Sequence, residues 1–179
     1  MWLLGYAFAA GWVVSTGMAA HLPRVLEAAG ASTTEAIAAA ALIGPAQVAA
    51  RLLEALFMSP YHPLDSARLS TLAHPIGAGL LLALGAWLAM PFTLLHGAGN
   101  GILTIARGTV PLAVFGPVNY GYRLGLLGAP ARIAQAGAPL AFGVMIDAYG
   151  SDALLWSSAI CLSALLAFGA VHQKPSPPR

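Results

Sequence analysis

FTLLHGAGNGILTIARGTVP, residues 92–111, is long enough and apolar enough to cross a bilayer, yet it carries polar side chains in a fixed register. A span needs about 20 mostly apolar residues. Thr93, His96, Asn100, Thr104 and Arg107 recur at steps of 3, 4, 4 and 3. That stepping holds all five on one face of an α-helix. Gly97 and Gly101 form a GxxxG on the neighbouring face, where a second backbone can approach closely. Polar groups inside hydrocarbon cost energy, so a stripe of them beside a packing groove reads as the wall of a water-filled cavity. Taken singly, Thr93 and Thr104 also suit hydrogen bonds between helices. Arg107 suits an interfacial cation that snorkels to the head groups, and His96, at the outer end, reads as exposed at the interface.

The rest of the chain repeats the apolar theme. Hydrophobic residues make up 59% of the 179 and charged residues 8%, against about 25% charged in soluble domains. Too little charge remains to coat a soluble fold, and the charges gather between apolar runs. We read an all-α polytopic membrane protein of six transmembrane helices, with spans near 2–21, 36–57, 69–90, 92–111, 130–149 and 152–171. Each run is too long for a tilted β-crossing of about 9–11 residues, and none alternates strictly. Thr33 or Thr34 is placed to cap the second span, with Glu35 in its first turn. Pro60, Pro63 and Asp65 mark a turn, and Met90-Pro91 a tight link. The first run has no basic segment before it and full spanning length, so it reads as a span rather than a cleaved leader.

Six spans place both ends on one side. Arg51, Arg68, Arg107, Arg123, Arg132, Lys174 and Arg179 fall there, and Arg24 alone opposite, beside Glu27, Glu35, Asp147 and Asp152. The positive-inside rule makes both termini cytoplasmic. The same topology explains the basic balance without nucleic acid. Cys161, the single cysteine, lies mid-span and precludes a disulfide framework. Residues 172–179 (HQKPSPPR) read as a short disordered tail.

Further polar positions complete the candidate pathway. Gln47, Arg51 and Glu54 share a face of the second span, where Arg51 either lines the cavity or latches Glu54. Trp12 and Thr16 lie one turn apart in the first span. The fifth contains Arg132, Gln135 and Pro139, and that proline must kink or unwind it. The third and sixth spans are plainer, with His74, Ser157, Ser158 and Ser163 as their main polar groups; His74 reads as a hydrogen-bonded packing residue ahead of a proton carrier. The histidines at 21, 62, 74, 96 and 172 lack zinc-site spacing. No GxSxG, P-loop or dinucleotide motif is present. No metal, no cofactor and no enzyme activity is expected.

GPAQVAARLLE (44–54) and the block HGAGNGILTIARGTVPLAVFGPVNYGYRLGLLGAPARIAQAGAPLAFGVMID (96–147) resemble the C-terminal six-helix half of a bacterial major facilitator superfamily transporter. The resemblance covers essentially the whole chain. It implies that spans one and four line a central cavity and spans three and six lie outside. It implies secondary active transport of a small solute by alternating access in the bacterial inner membrane. The substrate pathway would be lined by Asn100, Thr104 and Arg107, then Gln47 and Arg51, then Trp12, Thr16 and Gln135. APLAFG (138–143) echoes an antiporter motif and leans toward export. The family's charged loop motif is not recognisable in 59–68, and Thr93 stands where a fourth-helix arginine would fall. Such transporters pair two halves, so the chain is expected to be a truncated reading frame, or to need an N-terminal half or a second copy. Membrane lipids and a small-molecule substrate are the other expected partners. The arginines permit an anion and the apolar lining a hydrophobic drug. Two other functions stay open: a non-transport membrane subunit, and an intramembrane lipid-modifying enzyme.

Overall fold

The computed structural model describes residues 1–58 and 60–171; the expected tail, 172–179, lies outside the described residues. Its α-helices are α1 (Trp2–Ala28), α2 (Thr33–Ala41), α3 (Ile43–Leu53), α4 (Pro63–Leu84), α5 (Ala89–Phe115), α6 (Tyr120–Tyr149) and α7 (Ala153–Gly169). No strand occurs among the described residues. Five stretches are long and apolar enough to cross a membrane: Trp2–Ala28, Thr33–Met58, Pro63–Leu84, Ala86–Phe115 and Tyr120–Gly169. The second joins α2, α3 and a π turn at Glu54–Met58, and the fifth joins α6 to α7 through a 3₁₀ turn at Gly150–Asp152.

Local chemistry explains where the helices begin and end, and it corrects several expected boundaries. Ser32, not a threonine, caps α2: its Oγ accepts from the backbone N–H of Glu35, whose carboxylate accepts from the Ser32 N–H at 2.9 Å. Serine followed three residues later by glutamate is the capping-box spacing. The helix breaks at Leu42 because Pro45 has no N–H and its ring crowds the carbonyl of Ala41. The tight link expected at Met90-Pro91 instead falls at Gly85, which ends α4 with φ 97°. Only glycine takes that angle without cost, and Pro91 is accommodated in the first turn of α5, where its missing N–H is not needed. α6 begins at Tyr120, well before the expected 130. Its first turn is held by Arg123 Nη1 donating to Phe115 O at 2.6 Å and Tyr120 Oη donating to Gly108 O at 2.9 Å. Pro139 does not unwind α6; its carbonyl accepts from Nε2 of His21 at 2.8 Å.

Named contacts fix the relative directions. Thr16–Gln135 and Arg24–Asp147 run α6 parallel to α1. Glycines do the same for α3 and α5: Gly97 lies on Ile43 and Ala46, and Gly101 on Gln47. Gly99 against Ser70, and Gly77 against Phe92, make α4 antiparallel to α5. Phe8 on Phe168, with Gly150 near Ala28, makes α7 antiparallel to α1. The pattern has a symmetry. If α1, α2–α3 and α4 are exchanged for α5, α6 and α7, the α1–α6 pair becomes the α5–α3 pair and α4–α5 becomes α7–α1, while α4–α7 maps onto itself. Sequence echoes it: Gly11, Thr16 and Pro23 in α1 are spaced like Gly99, Thr104 and Pro111 in α5, and Pro45-Ala46 matches Pro130-Ala131.

Candidate functional site

The central feature is the squeeze on α5. A Cβ on Gly101 would stand 2.6 Å from Gln47 O, and one on Gly99 would stand 2.6 Å from Ser70 O. Bare glycine lets α3 and α4 press against the α5 backbone, as the GxxxG spacing predicts for one of those two sides. The larger side chains of the same turns, His96 and Asn100, then fill the space between α4 and α1.

The candidate residues are brought together in pairs. Asn100 Oδ1 accepts from Ser15 Oγ at 2.7 Å, joining α5 to α1. The Arg107 guanidinium lies over the Trp12 ring, 5.6 Å from its centroid. Gly128 on α6 makes room for it, since a Cβ there would meet Arg107 Nη2 at 3.1 Å. Gln135 Nε2 donates to Thr16 Oγ1 at 3.2 Å between α6 and α1. Gln47 Oε1 accepts from Arg51 Nη2 at 3.5 Å within α3. Thr104 is exposed, and its hydroxyl donates to Asn100 O at 2.9 Å. Thr93 does the same to Ala89 O and is wholly buried. These two hydroxyls are therefore satisfied inside their own helix. The Thr93–His96 end of the stripe is buried, whereas Thr104 is exposed.

Other expectations change. No ion pair joins Arg51 to Glu54 among the described residues; Glu54 accepts from Ser66 Oγ at 3.2 Å instead. Glu54 keeps α-helical geometry at the end of α3, and the π turn that starts there leads on toward α4. His96 is not interfacial: it is 4% exposed, with its ring stacked on Phe92. It lies inside because α4 covers it, bringing His74 Nδ1 to 2.9 Å from His96 Nδ1. Nε2 of His74 in turn lies 2.8 Å from Ser157 Oγ on α7. His74 is thus buried and hydrogen-bonded at both ring nitrogens. His74 and Ser157, two of the main polar groups expected in the third and sixth spans, are joined with His96 of the fourth in one buried chain. Sequence reasoning missed this pairing; its trace is two histidines placed within apolar runs.

Two small cavities adjoin these groups. One, of about 20 Å³, is walled by Ser15, Ser70, Thr71, His74, His96 and Asn100, with Cys161 beside them. The other, of about 10 Å³, lies between Trp12, Arg107 and Gly128. Each is large enough for about one water. Among the described residues, no acceptor engages Trp12 Nε1, and no group of three or more metal-ligating side chains forms.

No protein-family model matches this chain, and no curated protein matches it.

The order Ser157, His74, His96 copies nucleophile, base and orienting group. Ser157 is wholly buried, however, and its proton goes to Leu154 O at 3.0 Å. Its Oγ has neither the access nor the free proton transfer that acyl chemistry needs.

Proposed function

We propose that this chain is a six-crossing half of a secondary transporter of the major facilitator type, set in the bacterial inner membrane with both termini cytoplasmic. It moves a small solute, outward, by rocking against a second half. The observation that carries this reading is the exchange symmetry between α1, α2–α3, α4 and α5, α6, α7. Three crossings per repeat invert the second repeat in the membrane, and a three-plus-three inverted repeat is how each half of such transporters is built. In that arrangement α1 and α5 are equivalent helices, and the Ser15–Asn100 and Trp12–Arg107 contacts tie them together.

The pathway runs along the inner portion of the α5 stripe. Asn100, Thr104 and Arg107 lead it, Gln47 and Arg51 follow from α3, and Trp12, Thr16 and Gln135 complete it. Thr104 and Arg132 are exposed on this half alone, which supports a second six-helix body against that face. Solute flux tests the reading. Membrane vesicles would carry the chain with and without a co-expressed N-terminal half, under an imposed gradient. Asn100→Leu should abolish flux while membrane insertion is unchanged; unchanged flux removes Asn100 from the pathway.

A further inference from the structure

Hydrogen-bond polarity along the buried chain determines what its last atom can bind. Ser157 Oγ lies 3.0 Å from Leu154 O and 2.8 Å from Nε2 of His74; with the hydroxyl proton assigned to the carbonyl, Ser157 Oγ accepts and Nε2 of His74 donates to it. A neutral His74 with its proton on Nε2 presents a lone pair at Nδ1. His96 therefore donates from Nδ1 across the 2.9 Å contact. The remaining lone pair is on Nε2 of His96, which is buried and has no partner among the described residues.

Three hydroxyls on the cavity wall beside His96 share this polarity. Ser15 spends its proton on Asn100 Oδ1, Ser70 on Ala67 O, and Thr71 on Arg68 O. What these three hydroxyls still offer are lone pairs. The amide N–H groups of Asn100 are on the same wall, so a water in this space meets lone pairs and a donor together.

We propose that the His74–His96 pair is a one-proton binding site. The proton is delivered by water through this cavity and is held at Nε2 of His96. It adds an N–H and one positive charge to His96 and breaks no bond, because Nδ1 of His96 already donates to His74. A second proton would have to take the His74 Nδ1 lone pair and would open the link between α4 and α5. The site therefore takes one proton and excludes two. A hard cation such as Na⁺ prefers oxygen ligands, and the open position here is a nitrogen. The elements packed around the pair add one titratable group on the cavity wall among the described residues, Cys161 of α7. From α1 comes Ser15, and α3 places Ile43 and Ala46 beside Gly97. The inference does not depend on the transporter reading.

Nitrogen NMR of the full chain, ¹⁵N-labelled at histidine in lipid nanodiscs, tests it. Signals would be read in the wild type and in the variant His21→Asn, His62→Asn, His172→Asn, which leaves the pair untouched. At alkaline pH the expected state is Nε2–H on His74 and Nδ1–H on His96, with scalar coupling between the two facing nitrogens. Acidification should convert one ring of the two to imidazolium, at His96, with the coupling retained. Conversion of both rings would overturn the proposal. So would no change while the fold persists, or a change driven by Na⁺ at constant pH.

Discussion

Nδ1 of His74 and Nδ1 of His96 face one another at 2.9 Å, joining α4 to α5 where Ser157 of α7 joins the chain from behind. Three helices thus meet in one buried hydrogen-bonded line.

That line makes His96→Phe informative. Phenylalanine keeps a ring beside Phe92 and removes only the donor, leaving His74 Nδ1 buried and unpaired. Hydrogen bonds between membrane helices average about 0.6 kcal/mol and reach about 1.7, and an orphaned buried acceptor costs about 1–3. Equilibrium unfolding in mixed micelles should show a loss of about 1–2 kcal/mol. A change within error would mean that the pair contributes nothing to stability.

Glycines in α3 and α5 should behave oppositely. Alanine at Gly101 sets a carbon 2.6 Å from Gln47 O, whereas a Cβ at Gly44 meets nothing within 4 Å. Overpacking of this kind costs about 1–3 kcal/mol, while alanine in an open helical position gains up to about 1. Gly101→Ala should lower the melting temperature and Gly44→Ala should hold or raise it. Equal effects would mean that α3 and α5 do not approach closely.

A double-mutant cycle on Trp12 and Arg107 should return a coupling of about 0.5–2 kcal/mol, the range for a guanidinium over an indole face. Trp12→Leu, Arg107→Gln and the double variant, measured by the same unfolding assay, provide it. Strict additivity would show Arg107 turned away from α1.

Apolar runs marked the helical stretches but not the break between α2 and α3 at Leu42, which Pro45 imposes. They did not mark helix ends. α6 starts at Tyr120 and passes Arg123 because Phe115 O accepts from that guanidinium; a helix continues wherever its polar groups are satisfied. The α5 stripe was legible by its spacing, and so was the glycine groove beside it. Which part of the stripe is enclosed was not. His96 is buried only because α4 brings His74 against it, and no local pattern encodes a contact between two separate helices. Glu54 accepts from Ser66 for a related reason: that partner lies at the start of α4, and the spacing within one helix does not encode it.

Ser32→Ala should remove one side of the capping box and cost about 1 kcal/mol. Hydrogen exchange at the N–H groups of Thr34 and Glu35 should accelerate with the rest of the bundle unaffected. Unchanged exchange there would mean that packing alone sets the start of α2.

The pathway itself is tested most directly by thiol labelling. Single cysteines at 93, 100, 104 and 107 in a Cys161→Ser background would be probed with a membrane-impermeant reagent. Right-side-out and inverted vesicles would be compared, with and without a co-expressed N-terminal half. Labelling at 100 and 104 that requires the partner half, with 93 silent throughout, is the predicted result. Silence at 100 and 104 in both conditions would make the stripe a helix contact and contradict the account.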